Sequence, residues 1–144
     1  MKYDEARYDA RELAATEGMP SLNNTEAMSA WLDSLPTTAR HQCVITCWDR
    51  RVGNAGVVGY VEAGYLEAHG VVLRLALTRM GQSEPVAQKL EALVAELLQV
   101  CARFPDGMPE GDEDYAQLEA LDDRVWLIFD EFRCAQRRYF DAWA

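Results

Sequence analysis

His41, Cys43 and Cys47 are the residues of this chain whose types and spacing come nearest to covalent chemistry. A histidine beside a cysteine can act as the base that activates a thiolate nucleophile. On one helix, however, His41 and Cys43 would point about 200° apart, at roughly 100° per residue. We therefore interpret His41 as a core or surface histidine rather than as a catalytic base.

The other features that would support catalysis or metal binding are few. Cys101 and Cys134 lie far along the chain from the first two cysteines, and His69 is the second of only 2 histidines. A zinc site needs closer cysteine pairs or two well-placed histidines. The chain also lacks the G-x-S-x-G, H-E-x-x-H and Walker lysine motifs. We therefore predict four buried, reduced cysteines, no catalytic residue, no metal and no cofactor.

Acidic residues dominate the composition. The 144 residues include 14 lysines and arginines against 24 aspartates and glutamates, which gives a net charge of −10. This charge disfavours direct binding to nucleic acid or to an anionic membrane, and it favours a basic partner. An acidic surface without any partner is the alternative interpretation of the charge alone.

The acids are concentrated between Phe104 and Asp123, where no lysine or arginine occurs. Such a run often forms a solvated face or a mobile loop. It also suits an acidic surface that enters a basic, nucleic-acid-binding groove, because carboxylates can reproduce part of the regular charge of DNA phosphates. Met108 and Trp126 lie in or near the run and are candidates for apolar contacts. The predicted partner-binding residues are Asp106, Glu110, Asp112, Glu113, Asp114, Tyr115, Glu119, Asp122 and Asp123.

The elements that must position these residues are organised around a glycine-rich apolar stretch over 52–81. Asn54 is a good N-cap, whose side-chain oxygen can accept from the amide of Val57, so a short buried helix is predicted over 55–63. A glycine within a helix costs roughly 1 kcal/mol against alanine. We therefore predict that Gly56 and Gly59 are buried where two helices approach closely. These glycines do not match the G-x-G-x-x-G phosphate-binding pattern.

Hydrophobic periodicity predicts helices along the rest of the chain, as a single all-α domain over 1–144 with six or seven helices. The β-branched run at 44–48 would also suit a strand, but its polar flanks favour a helix. The apolar lengths are too short for a membrane span and the N-terminus is too charged for a signal peptide, so a cytoplasmic protein is predicted. The first predicted helix runs from Lys2 to about Glu17, with Tyr3, Ala6, Ala10, Leu13 and Ala14 facing the core. The second runs from a cap at Asn24 or Thr25 to Pro36, and the third starts at Thr37 or Thr38, with Val44, Ile45, Trp48 and Val52 facing the core. Further helices are predicted from Gly64 to Met80, from a cap at Ser83 to Phe104, and over about 113–121 and 123–143.

Three segments of the sequence resemble a small bacterial protein family. Residues 51–61, RVGNAGVVGYV, resemble its signature E-V-N-N-G-G-F-x-Q-Y/F-F, residues 76–81, ALTRMG, resemble A-L-x-x-I-G, and residues 121–126, LDDRVW, resemble L-D-x-x-F-Y. The spacing of the segments is similar as well. Ala55 and Val57 replace the glycine and phenylalanine of the signature, and Gly59 replaces its glutamine. The best-known members of that family are acidic, all-helical DNA-mimic proteins.

The resemblance implies a non-enzymatic protein that binds and blocks a basic DNA-binding protein, with a homodimer as a possible state. Related helical families imply an alternative, an immunity protein that neutralises a toxin such as a basic nuclease. A third alternative, from a different class, is a small enzyme or ligand-binding domain that uses the glycine-rich pocket around Asn54, Tyr60 and Tyr65. A buried polar asparagine or tyrosine pair in that pocket would favour the third alternative.

Overall fold

The computed structural model describes residues 5–142, and it describes side chains from Tyr8 onward. The predicted all-α class is confirmed, since the described residues form six α-helices and contain no strand. Residues 44–48 lie within a helix. None of the helices in the described range is long and apolar enough to cross a membrane. The helices are α1 (Glu5–Ala15), α2 (Thr25–Ser34), α3 (Thr37–Glu62), α4 (Tyr65–Met80), α5 (Pro85–Ala102) and α6 (Asp112–Asp141), with one 3₁₀ turn at Pro105–Gly107.

Helices α3 to α6 form a four-helix bundle. Each packs on the next in chain order, and α6 returns to pack on α3. Helices α4 and α5 are adjacent and antiparallel as predicted, because Gly70 lies against Leu98 and Gly81 lies against Gln88. The short connections of the bundle leave few other arrangements. Helix α1 packs on α3, and α2 packs on α4.

Helix α3 is the central element of the core. Val44, Ile45, Trp48 and Val52, the residues predicted to face inward, are all almost completely buried. The predicted cap of the preceding helix is also confirmed, because the Asn24 side chain accepts from the amide of Ala27 at 3.0 Å. These two predictions rest on strong local signals, a helical repeat and a capping residue.

The predicted inward face of α1 is wrong within the described residues. Leu13 is 61% exposed, whereas Tyr8 and Glu12 are the buried residues of this helix. The reason is that α1 packs against charged side chains rather than against an apolar surface: Glu12 meets Arg50 of α3, and Tyr8 donates a hydrogen bond to Asp141 of α6. Residues 2–4 of the predicted helix, Trp143 of the last predicted helix and the side chain of Ala6 lie outside the described part.

The predicted helix start at Asn54 is wrong, although the chain does break nearby. Helix α3 runs through this position to Glu62, and the break falls at Gly56, whose φ is 71° and ψ is −178°. The amide of Val57 donates to the Asp122 carboxylate of α6 at 2.8 Å. Asn54 is exposed. The cap therefore comes from a residue 65 positions away along the chain, which no local sequence pattern indicates.

Gly56 and Gly59 are both half-buried rather than buried. A Cβ atom on Gly56 would lie 2.9 Å from the Asp122 carboxylate, so this glycine does allow α3 to approach α6 closely. Gly59 instead faces its own helix, against the Cβ of Ala55. The prediction of a helix–helix contact therefore describes Gly56 in part and is wrong for Gly59.

Two further helix boundaries differ from the prediction. Glu84, with an extended backbone, occupies the position before α5, and the Ser83 hydroxyl donates to the carbonyl of Met80 instead of capping that helix. The two helices predicted over 113–121 and 123–143 are one continuous helix, α6. The Asp122-Asp123 pair does not interrupt it, because Asp122 faces α3 and Asp123 faces solvent.

Candidate functional site

The first turn of α6 explains part of the local acidity. Asp112, Glu113 and Asp114 form that turn after Gly111, whose backbone is extended. Carboxylates in this position are stabilised by the exposed amides and by the dipole of the helix. Asp114 also accepts a hydrogen bond from the amide of Glu110 at 3.1 Å. Some of these acids therefore serve to begin the helix.

Four acids lie in one line along the outer face of α6. Asp112, Glu119, Asp123 and Asp130 are all exposed, and their spacing places them within about 40° of one another at roughly 100° per residue. At a rise of about 1.5 Å per residue the line is about 27 Å long. We call these four residues the α6 stripe. Asp130 lies beyond the acidic run and was not predicted, because its place on the line follows only when α6 is one helix.

Two exposed apolar residues lie beside the stripe between Asp123 and Asp130. Leu127 is 84% exposed and Trp126 is 44% exposed, with the indole ring resting on Phe129 at 4.5 Å between centroids. Aromatic and aliphatic residues surrounded by polar ones are typical of the centre of a protein interface. Trp126 was a predicted contact residue, whereas Leu127 was not. The position of Leu127 beside the stripe follows only when α6 is one continuous helix.

The predicted partner-binding residues do not form a single face. Asp106 and Glu110 lie on the connection before α6, and Glu113 is exposed beside the stripe. Asp114 and Tyr115 are half-buried, and the Tyr115 hydroxyl donates to Glu62 of α3 at 3.4 Å. The members that the structure aligns on the stripe are Asp112, Glu119 and Asp123.

Asp122, one of the predicted partner-binding residues, also has a structural role. Its half-buried carboxylate accepts from the amide of Val57 and caps the helical segment that follows the break at Gly56. A second hydrogen bond spans the break, because the guanidinium of Arg51, which precedes it, donates to the carbonyl of Gly59, which follows it, at 3.2 Å. The break is thus held by side chains of both α3 and α6.

The C-terminal half of α6 takes part in a network of buried charges with α1 and α3. Arg133 donates to both carboxylate oxygens of Asp49, at 2.9 and 3.4 Å, and its guanidinium lies over the Phe129 ring. Glu12 meets Arg50 at 3.3 Å and Arg137 at 3.9 Å. The network surrounds a polar cleft of about 410 Å³.

Burial dominates the electrostatics of this network. It raises the pKa of the Glu12 carboxyl, with the nearby Asp49 adding to the shift and Arg50 opposing it. Burial likewise raises the pKa of Asp49, against the lowering effect of Arg133. The acids and arginines are matched here, so we interpret the network as the connection that holds α1 on the bundle.

An aromatic cluster lies between α3 and α4. Tyr60 is completely buried and stacks on Tyr65 with 5.4 Å between centroids, and Tyr65 in turn contacts His69. Within the part of the chain that the structure describes, the Tyr60 hydroxyl and both ring nitrogens of His69 have no hydrogen-bond partner. Burial lowers the pKa of His69 to about 4 and raises that of Tyr60 well above its usual value. Both side chains are therefore neutral near pH 7.

The pKa values of the two cysteines near this cluster are shifted in opposite directions. Cys43 and Cys47 are buried. The hydrogen bond that the Cys47 thiol donates to Cys43 lowers the pKa of Cys43 and, together with burial, raises the pKa of Cys47. A thiol with a raised pKa carries little thiolate. Cys101 is buried as predicted, whereas Cys134 is exposed, because it lies on the outer side of α6. Among the residues that can be described, no group of three or more histidines, cysteines or acids is placed to hold a metal ion.

No family model, curated protein or solved structure matches this chain.

Proposed function

We propose that this protein is a non-enzymatic interaction protein that binds a basic, nucleic-acid-binding protein and inhibits it by occupying its groove. The supporting observation is the α6 stripe, an exposed line of acids beside Trp126 and Leu127. The one cation within residues 112–130, Arg124, is already bound by Glu96 at 2.8 Å. A basic surface therefore meets carboxylates that no arginine of this segment neutralises.

The α6 stripe carries a lower density of negative charge than duplex DNA. Duplex DNA carries one phosphate charge per roughly 1.7 Å, or about sixteen over the length of the stripe. Four carboxylates reproduce only part of that charge. They are sufficient to steer a basic partner towards this face, but the affinity must also depend on apolar contacts at Trp126 and Leu127.

The test compares two triple charge reversals of equal net charge. The first reverses the stripe with Asp112→Lys, Glu119→Lys and Asp123→Lys. The control reverses three exposed acids of other elements, Glu17→Lys, Glu26→Lys and Asp33→Lys. A partner is first captured from the host by cross-linking, identified and purified. Its association with each variant is then measured by biolayer interferometry over a range of salt concentrations.

We expect the stripe reversal to lower the association rate at least tenfold and to abolish competition with DNA for the partner. The control variant should retain most of the association rate and most of the competition with DNA. Wild-type association should slow as salt is added. Equal losses in both variants would assign the effect to net charge rather than to the stripe. Unchanged binding after the stripe reversal would place the contact elsewhere.

The tyrosine pair favours a ligand-binding domain as the second candidate function. Buried Tyr60 stacks on half-buried Tyr65, so the tyrosine pair that would distinguish this alternative is buried only in part. Exposed Asn54 lines the same cleft as Tyr65. Tyr65 lines a cleft of about 260 Å³ together with Arg50 and Arg51. Small aromatic carboxylates are the natural probes for such a cleft. Benzoate should raise the melting temperature of wild type but not of Tyr65→Ala, and the absence of any shift would exclude this class of ligand.

A further inference from the structure

The outer surface of the bundle carries an apolar groove between α4 and α5. Val71 and Leu75, one turn apart on α4, are 72% and 60% exposed. They line a cleft of about 270 Å³ together with Leu98 of α5. Large aliphatic side chains exposed side by side are unusual on a surface without a partner.

A second cleft continues the groove towards the 3₁₀ turn. It has a volume of about 370 Å³ and also includes Leu98, so the two clefts meet at this residue. Its apolar walls are Leu66, Cys101, Ala102 and Met108, and its charged lining residues are Glu67 and Asp106. We call the two clefts together the α4–α5 groove.

A close approach of the two helices forms the floor of the groove. A Cβ atom on Gly70 would lie 3.0 Å from Leu98 and 3.4 Å from Leu66. On α4 the groove extends from Leu66 to Thr78, which corresponds to about 18 Å or just over three helical turns. A helical ligand presents apolar residues at i, i+4, i+7 and i+11 over about this length.

The charges of the groove favour a basic ligand. Glu67 and Asp106 are exposed. The cation of the lining, Arg74, is bound by Glu91 at 2.8 Å. A second copy of this chain would bring another net charge of −10 against an acidic rim.

We propose that the α4–α5 groove binds an amphipathic helix of a basic partner, with apolar side chains against Val71, Leu75 and Leu98 and with lysines or arginines facing Glu67 and Asp106. The inference rests on the proposed function only in taking the partner to be basic. It adds a second apolar contact surface, separate from the α6 stripe and from Trp126 and Leu127 beside it.

The probe is a fluorescein-labelled helical peptide of eighteen residues, with leucines at i, i+4, i+7 and i+11 and with lysines on its other faces. Binding is measured by fluorescence anisotropy. We expect Val71→Ser with Leu75→Ser to raise the Kd at least tenfold. The matched control, Leu13→Ser on α1, removes a leucine that is 61% exposed, against 60% for Leu75, and should change the Kd less than twofold. Circular dichroism checks that each variant is folded.

A second set of variants tests the charges of the rim. Glu67→Gln with Asp106→Asn should raise the Kd about fivefold at low salt and should weaken the salt dependence. Asparagine is suitable at Asp106, whose φ is 55°, because it tolerates the left-handed region. The same peptide with glutamates in place of its lysines should bind at least tenfold more weakly.

Three results would overturn the proposal. The first is no binding of the peptide, and the second is an equal loss in Leu13→Ser, which would show unspecific binding to exposed leucine. The third is a dimer in sedimentation experiments that Val71→Ser with Leu75→Ser dissociates, since the groove would then be an interface between copies. Retention of peptide binding after the α6 stripe reversal supports the groove, whether or not the stripe itself binds the basic partner.

Discussion

The two halves of α6 use charge in opposite ways. In the N-terminal half, Asp112, Glu119 and Asp123 face solvent on a line without a basic residue. In the C-terminal half, Arg133 and Arg137 are paired with the buried acids Asp49 and Glu12 of other helices. The comparison shows that a count of charges cannot separate a carboxylate that holds the fold from one that is available to a partner.

Burial makes that distinction. The Asp49 side chain is only 4% exposed, and Arg133 contacts it at 2.9 Å. Such an acid has left water and depends on its partner, so its removal affects folding. An exposed acid keeps its hydration and contributes little to stability. We therefore expect substitutions to have the largest effect where the network is buried and the smallest on the outer face of α6.

Asp49→Asn should have the largest effect. Removing one partner of a buried ion pair costs about 3–5 kcal/mol, and we expect about 3 kcal/mol here, because Arg133 is partly exposed and can turn towards water. The free energy of unfolding is measured by urea denaturation monitored by circular dichroism. The matched control is Asp130→Asn on the stripe, which should change it by less than about 0.5 kcal/mol. Similar losses in the two variants would remove the distinction between buried and exposed acids.

Asp122→Ala should have the next largest effect. The substitution removes the carboxylate that accepts from the amide of Val57, and loss of an N-cap costs about 1–2 kcal/mol. Asp123→Ala, one residue later and facing solvent, is the control and should stay within about 0.5 kcal/mol of wild type. The measurement is again urea denaturation. Equal effects at the two neighbours would contradict the assignment of Asp122 as a cap.

Asp122 and Asp123 also illustrate what the sequence can and cannot predict. The core face of α3 followed from a helical repeat, and the cap at Asn24 followed from a local motif, so both were predicted correctly. Asp122 and Asp123 are identical in type and adjacent, and only the packing of α6 on α3 separates them. The cap on Val57 joins residues 65 positions apart. Information of this kind depends on tertiary structure.

The predicted site residues likewise divide into those that local sequence identifies and those that depend on tertiary structure. The acidic run predicted Asp112, Glu119 and Asp123 correctly as exposed acids, because charge without a nearby partner remains in water. It did not indicate that Asp122 and Asp114 are half-buried, and Leu127 was not predicted. Placing Leu127 beside the stripe required knowing that α6 continues unbroken from Asp112 to Asp141.

The pH dependence of stability should reveal the buried network through Glu12. Burial raises the folded-state pKa of this carboxyl above its ordinary value of 4.5. Between these two pKa values the folded protein binds more protons than the unfolded chain, so the free energy of unfolding falls as pH rises. This contribution is fully present below pH 4.5 and is lost as pH rises through the folded-state pKa.

Glu12→Gln removes that contribution. Relative to wild type, the variant should therefore gain stability as the pH is raised from 4.5 to neutral. Urea denaturation at several pH values measures the difference, which also cancels the effects of other groups such as His69. A constant difference for Glu12→Gln would mean that its carboxyl titrates as in the unfolded chain.

The smallest effect is expected for the ion pair between Arg124 and Glu96. Its geometry is as good as that of Arg133 and Asp49, since one guanidinium nitrogen meets both carboxylate oxygens at 2.8 and 2.9 Å. Both side chains are about half exposed, however. A double-mutant cycle with Arg124→Ala and Glu96→Ala should give a coupling energy of about 0.2–0.5 kcal/mol. The same cycle at Arg133 and Asp49 should give several times more. A coupling above about 1 kcal/mol at the exposed pair would mean that short distance, rather than burial, decides which charges of α6 stabilise the fold.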